Sequence, residues 1–387
     1  MIYLDNNATT RPSPEVTEAV GRALSEFWHN PSSMHRPGQA ARAQVELARK
    51  DAAALIGARP REVVFTSGGT ESIDMAVRGV LGTVPRSGGR PIVSTKVEHA
   101  AVRELLEALE KRAQATIRWA PVDRDGLVNL DALPSLLDGA ALAVFQWANN
   151  ETGAVQPVEQ VAALCREKRV TFLCDGSQWV GKEPAGGERD GGTRQETILP
   201  CDLLAFAPHK FHGPKGVGML WVRPGLGLAP TIHGSQELGR RGGTENVPGI
   251  LGAGAACRLA RQWLSQPAER SRLAALRDRF EQLVLAGCPG AVVNSAGAPR
   301  IWSTTSIGFP RLEAEALLLM LSERGLCASA GAACSSGSLE PSPVLLAMGI
   351  PEAIAHGSLR FSLSRETTDA EIEEAAAIVA ECVGRLK

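Results

Sequence analysis

The sequence predicts an α/β protein, built as a parallel sheet with helices on both faces and followed by a smaller α+β lobe. Three observations carry this. Short apolar runs alternate with helix-length amphipathic stretches as far as about residue 222. Several of those runs end in turns rich in Gly, Asn or Asp, as strands do before a covering helix. Beyond Val247 the alternation gives way to long helical stretches and shorter strands.

In chain order, Glu62-Val63-Val64-Phe65-Thr66 reads as the first strand of the sheet. The turn Ser67-Gly68-Gly69-Thr70-Glu71 follows it, and then a helix over 72–80. Residues 91–95 form a second strand, leading to His99 and an amphipathic helix through about Arg112. A third covers 141–147 and ends in Asn149-Asn150-Glu151-Thr152-Gly153. Val170-Thr171-Phe172-Leu173-Cys174 is a fourth, ending in Asp175. Leu203-Leu204-Ala205-Phe206 precedes a Pro/Gly-studded turn that carries His209 and Lys210, and 218–222 closes the series. Helices are expected over about 249–263 and 268–285. Residues 183–200, rich in Gly, Arg and Glu, read as an exposed loop inserted between Asp175 and Lys210.

Bulk properties exclude several function classes. The 387 residues are 44% hydrophobic and 21% charged, which suits a globular chain of two or more lobes. A formal net charge of -1 leaves no basic field for nucleic acid. No apolar run approaches the roughly 20 residues of a membrane span. The N-terminus has no basic region followed by an apolar core, so no secretory signal is expected. Eight cysteines at irregular spacing, without a C-x-x-C pair, argue against a zinc ribbon or a disulfide framework. A reducing cytoplasm is the expected compartment, and no metal site is expected.

Lys210 and Asp175 stand at two strand ends, where open α/β sheets bind ligands. A desolvated lysine is a nucleophile toward aldehydes. Pyridoxal phosphate needs such a lysine, together with a carboxylate to hold its pyridinium proton. Alone, the lysine reads as a surface residue and the aspartate as a helix cap; together with their neighbours they read as a site. Ser67-Gly68-Gly69-Thr70, between strand and helix, would offer backbone N–H groups and the Thr70 hydroxyl to a phosphate. Gly176 to Lys182 carries the glycines and lysine of a P-loop but lacks the final Ser/Thr, and reads as chance. No G-x-G-x-x-G opens a first βα unit, which argues against a nicotinamide dehydrogenase. Cys334, flanked by Gly331-Ala332-Ala333 and Ser335-Ser336-Gly337, is predicted to lie on a mobile, accessible loop from which its thiol reaches a substrate.

These motifs together resemble the cysteine desulfurases, pyridoxal-phosphate enzymes of the class V aminotransferase group, and their NifS/IscS branch most of all. The resemblance runs nearly end to end. It includes Tyr3-Leu4-Asp5-Asn6-Asn7-Ala8-Thr9-Thr10, Thr66-Ser67-Gly68-Gly69-Thr70-Glu71-Ser72, Glu98-His99 and Asn149-Asn150-Glu151. It continues through Asp175-Gly176-Ser177-Gln178, His209-Lys210, Arg241-Gly242-Gly243-Thr244-Glu245-Asn246, Ala333-Cys334-Ser335 and Leu359-Arg360-Phe361-Ser362.

The resemblance implies the fold type I of pyridoxal-phosphate-dependent transferases. In this chain that means a large cofactor-binding domain over 15–248 with a mostly parallel seven-stranded sheet. A small domain would be formed by 1–14 and 249–387 and would carry the Cys334 loop. The resemblance also implies roles. Lys210 would bind the cofactor covalently, Asp175 would pair with the pyridine nitrogen, and Gln178, one turn on if a helix begins there, would hydrogen-bond the ring oxygen. His99 would stack on the ring and assist proton transfers. Gly69, Thr70 and His209 would bind phosphate, joined by Thr244 from the neighbouring subunit of a homodimer. Asn150 and Arg360 would hold the substrate carboxylate, and Cys334 would accept sulfur from L-cysteine as a persulfide before passing it to an acceptor or iron–sulfur scaffold protein. Selenocysteine lyase and a catalytically silent assembly scaffold are the alternatives. One departure stands out: Ala207 replaces a serine common in the family, which removes a hydroxyl contact to phosphate.

Overall fold

The computed structural model describes residues 1–84, 91–186, 199–331 and 341–386. The chain opens with a short strand, β1 (Ile2–Tyr3), and two helices, Pro14–Glu26 and Arg36–Leu55. The central sheet follows as β2 (Val63–Thr66), β3 (Ile92–Thr95), β4 (Ile117–Ala120), β5 (Leu142–Gln146), β6 (Thr171–Asp175), β7 (Leu203–Phe206) and β8 (Gly218–Val222). Their spatial order is β2-β8-β7-β6-β5-β3-β4. β8 runs antiparallel to β2 and β7, while the other neighbours are parallel. This is the mostly parallel seven-stranded sheet that the resemblance implied. Edge strand β4 escaped the sequence reading because half-buried Arg118 and Trp119 interrupt its apolar signal.

The sheet is buried on both faces, which is why its strands read as continuous apolar runs rather than as alternation. Successive side chains point to opposite faces. Phe145, Phe172, Cys174, Leu204 and Phe206 therefore enter one core, beneath helices Arg36–Leu55, Val158–Lys168 and Val247–Leu264. Val144, Leu173, Leu203 and Ala205 enter the other, beneath Gly69–Leu81 and Ala100–Lys111. At the sheet edge Gly218 passes so close to the turn before Gly69 that a Cβ there would lie 2.3 Å from the Gly68 carbonyl carbon. A side chain at that position would push the turn off the sheet.

The later part of the chain adds β9 (Val292–Val293), β10 (Thr304–Gly308), β11 (Leu326–Cys327) and β12 (Ser358–Ser362). β12, β10 and β9 form an antiparallel sheet, and β1 pairs in parallel with β11. Helices Pro267–Gly287 and Asp369–Leu386 cover it through Leu273, Phe280, Val284, Ile372 and Val379, and Ile2 and Leu4 join the same core.

Residues 5–10 strap the β12-β10-β9 sheet to the central one. Asn7 N–H donates to Ser362 Oγ at 2.9 Å, and Asn7 Nδ2 to Thr304 Oγ1 at 2.8 Å. Thr10 N–H donates to the His209 carbonyl at 2.9 Å, tying the strap to the single 3₁₀ turn Pro208–Lys210 beyond β7.

Candidate active site

β5, β6 and β7 run parallel, so Asp175 and the turn bearing Lys210 emerge at the same end of the sheet. The 3₁₀ turn exists because Pro208 pre-sets its backbone and Phe211 N–H closes it on the Pro208 carbonyl at 2.9 Å. Lys210 Nζ donates to the Asn7 carbonyl at 2.7 Å and to the Ala8 carbonyl at 3.0 Å. Asn7, Ala8, Glu98, His99, Asn150, Glu151, Lys210 and Arg360 line one cleft of about 180 Å³.

Asp175 is 6% exposed and makes no ion pair among the described residues; its Oδ1 accepts the Ser177 N–H at 2.9 Å. Gln178 lies in a turn, not on a helix. Gly176 N–H goes to the Ala205 carbonyl of β7, and Gly181, at φ +80°, ends the turn. Gln178 nevertheless points inward, its Nε2 donating to the Asn7 carbonyl at 3.0 Å.

His99 caps the helix Ala100–Lys111, its Nδ1 accepting the Ala101 N–H at 3.1 Å. The non-protonated Nδ1 leaves the proton of a neutral ring on Nε2. Burial lowers the His99 pKa, the charges of Lys210, Arg103 and Arg360 push the same way, and Asp175 opposes them. Neighbouring Glu98 is enclosed, and burial raises its carboxyl to about 8, although hydrogen bonds from Thr95 and Gln146 favour the ionised form.

Arg360, on β12 and 3% exposed, is held from three sides. Nη2 pairs with Asp5 Oδ1 at 2.7 Å, and Nη1 donates to the carbonyls of Asn150 at 3.1 Å and Gly331 at 3.2 Å. Among the described residues its Nε and the Asn150 side-chain Oδ1 are buried without hydrogen-bond partners. Buried polar atoms are seldom left this way. An arginine with a spare N–H beside a rotatable amide is able to receive a carboxylate.

The turn Ser67-Gly68-Gly69-Thr70 opens the helix Gly69–Leu81 as expected, with Gly68 as N-cap and Thr70 exposed. A Cβ on Gly69 would lie 3.2 Å from Ser177 Oγ and 3.7 Å from Ala207 Cβ, so this turn and the ends of β6 and β7 face one another. His209 Nδ1 contacts Thr9 Oγ1 at 3.2 Å; burial lowers its pKa to about 4, with Lys210, Lys215 and Lys182 adding to the effect. Thr244 is not brought to the Lys210 cleft of its own chain. It is exposed and lines a second cleft with Ser67, Arg241 and Asn246, close to the Arg241–Glu71 ion pair of 2.8 Å. Cys334 lies outside the described residues, as do 187–198 of the inserted loop.

Asn7, Ala8, Asp5 and Lys182 are part of this site but received no role from the sequence. The polar run Asp5-Asn6-Asn7-Ala8-Thr9-Thr10 was the available signal, because a run with so little apolar content seldom sits in a domain interior.

A lysine amine, a buried carboxylate, a neutral imidazole and a helix N-terminus are the groups pyridoxal phosphate requires, so the residues present fit it. Among the described residues no cluster of His, Cys, Asp or Glu could hold a metal, and no helix is long and apolar enough to cross a membrane.

Comparison with known proteins agrees with this chemistry. The family model for class-V aminotransferases matches residues 2–374. A cysteine desulfurase of Trichormus azollae is 44% identical over 389 residues, covering 100% of this chain and 94% of that protein. One from Klebsiella pneumoniae is 43% identical over the same length and shares. Among solved structures, a NifS-like protein superposes with TM-score 0.87 at 33% identity, covering 100% of both chains. SspA in complex with cysteine superposes with TM-score 0.79 at 28% identity, covering 95% of this chain and 100% of that one. The chain belongs to the class-V aminotransferase family and, within it, to the NifS/IscS-like cysteine desulfurases.

Proposed function

We propose that this chain removes sulfur from L-cysteine, releases L-alanine and holds the sulfur as a persulfide on Cys334 for delivery to an acceptor protein. The observation that carries the proposal is the single cleft where Lys210 and His99 meet the unpartnered Nε of Arg360 and Oδ1 of Asn150. An amino acid needs this pairing: a proton-transfer group over its Cα and a fork for its carboxylate.

Pyridoxal phosphate, when bound, supplies the electron sink that labilises the Cα proton and the Cβ–S bond of the amino acid. Lys210 would hold the cofactor, and its amine is the group placed to move the Cα proton. Asp175, 6% exposed, would keep the ring nitrogen protonated. Gln178 donates to the ring oxygen. His99 covers the ring and, neutral at pH 7, can accept or donate a proton at the substrate. Gly69, Thr70 and His209 receive the phosphate; neutral His209 donates one N–H. Thr244 serves the phosphate of the neighbouring subunit in a homodimer, which accords with its exposure and its distance from the Lys210 cleft.

Arg360 and Asn150 fix the substrate carboxylate, after the Asn150 amide turns its Nδ2 inward. The Cys334 thiolate then attacks the substrate sulfur. An S–S bond forms and the Cβ–S bond breaks, its electron pair staying with the carbon fragment that leaves, protonated, as alanine. Placement in the cytoplasm, and iron–sulfur or thio-cofactor synthesis as the destination of the sulfur, belong to the same proposal.

The test is steady-state turnover of the pyridoxal-phosphate-loaded protein with L-cysteine and a reductant. Alanine and sulfide should appear in equal amounts, and both should vanish in Cys334→Ala. Alanine formation unaffected by that substitution would refute the persulfide route and favour a selenocysteine lyase. No product from loaded protein would refute the substrate.

A further inference from the structure

Lys182 is 4% exposed, and no carboxylate accompanies it among the described residues. Burying an amine this way is costly unless its hydrogens are used. Its Nζ donates to Gln178 Oε1 at 2.7 Å and to Asn7 Oδ1 at 2.9 Å. The other end of the Gln178 amide, Nε2, donates to the Asn7 carbonyl, which also accepts from Lys210 Nζ at 2.7 Å. An amide that flips gives up the hydrogen bond its oxygen accepts from the amine. We propose that Lys182 is a positioning residue that locks the Gln178 amide with its N–H edge toward Lys210, so that Gln178 acts only as a donor to the ring oxygen of pyridoxal phosphate. This inference rests on the cofactor reading above and on the role given there to Gln178.

The amine also sits among other positive groups. Burial holds the Lys182 amine well below the usual lysine range, and Lys210 and Arg360 push it the same way. Lys182 in turn disfavours the protonated forms of His209 and His212.

The experiment uses the full chain loaded with pyridoxal phosphate. It follows the cofactor's visible absorbance against pH and measures cofactor affinity by equilibrium dialysis. Wild type is compared with Lys182→Met, Gln178→Ala and the double variant. A donor to the ring oxygen stabilises that oxygen's anion, so its loss should raise the spectral midpoint, by about one pH unit, and weaken binding about tenfold. Lys182→Met and Gln178→Ala should each do this. Their combination should add little to either, since both remove the same contact.

A folded Lys182→Met protein with an unchanged midpoint, or shifts that add in full, would overturn the proposal while leaving Gln178 its role. No shift in Gln178→Ala would overturn both, and absence of a cofactor band in the wild type would overturn the cofactor reading itself. Should Lys182→Met fail to fold, Gln178→Glu carries the test. Lys182 would hold that carboxylate ionised beside the ring oxygen and raise the midpoint by more than about one unit. An unchanged midpoint there would likewise overturn the proposal.

Discussion

Replacing Arg360 by lysine isolates the carboxylate-binding step. The guanidinium is anchored by Asp5 at 2.7 Å and by two backbone carbonyls at 3.1 and 3.2 Å, and it holds Nε in reserve. A lysine keeps the charge but presents a compact ammonium that Asp5, its only carboxylate contact among the described residues, will capture. The substrate then loses at least one charge-assisted hydrogen bond, about 1.5–3 kcal/mol. That corresponds to a fall in kcat/KM of roughly 10- to 150-fold.

Because the bond exists before and after the chemistry, most of the loss should appear in KM. Alanine formation measured against L-cysteine concentration gives the two constants. Cofactor absorbance and melting temperature check that the fold and cofactor are retained. Cysteamine, which lacks the carboxylate, should react poorly with the wild type and no worse with the variant. A kcat/KM for L-cysteine within threefold of wild type, or an equal loss with cysteamine, would refute the assignment.

Other outcomes follow from neighbouring groups. Between the ordinary carboxyl range and about 8, folded Glu98 keeps a proton that the unfolded chain has lost, so stability should fall as pH rises across that window. Glu98→Gln should flatten the dependence of melting temperature on pH there, and an unchanged slope would contradict the burial effect. Ala207 faces the Gly69 turn, so Ala207→Ser should restore a phosphate contact and tighten cofactor binding about fivefold or more by dialysis. Equal affinities would show that the missing hydroxyl is immaterial. Glu237 pairs with Arg49 through contacts of 2.6 and 2.9 Å and also accepts the Phe65 N–H, all of them buried. Glu237→Ala should cost about 3–5 kcal/mol in urea unfolding, and a loss below about 1 kcal/mol would count against it.

Much of this site was legible because its chemistry falls at strand ends. Asp175 and Lys210 follow apolar runs whose burial on both faces makes them conspicuous, and Gly69 and His99 sit where a turn becomes a helix. The rest depends on contacts remote in sequence. Asn7 meets residues 150, 178, 182, 210, 304 and 362, and no local pattern encodes such a hub. Lys182 resembled a stray P-loop lysine because burial, which gives it meaning, is invisible in a run of seven residues. The turn at Gln178 looked like the start of a helix, but the β7 carbonyl that takes the Gly176 N–H holds that segment in another path. Arg360 drew its role only from the resemblance, because the Asp5 that anchors it lies at the far end of the chain.

The most direct measurement is a single turnover: the pyridoxal-phosphate-loaded protein, one equivalent of L-cysteine, no reductant, and mass spectrometry of the peptide that carries Cys334. The expected result is one alanine released per chain and the mass of one added sulfur atom on Cys334. Alanine released with Cys334 unmodified would contradict sulfur transfer through that thiol.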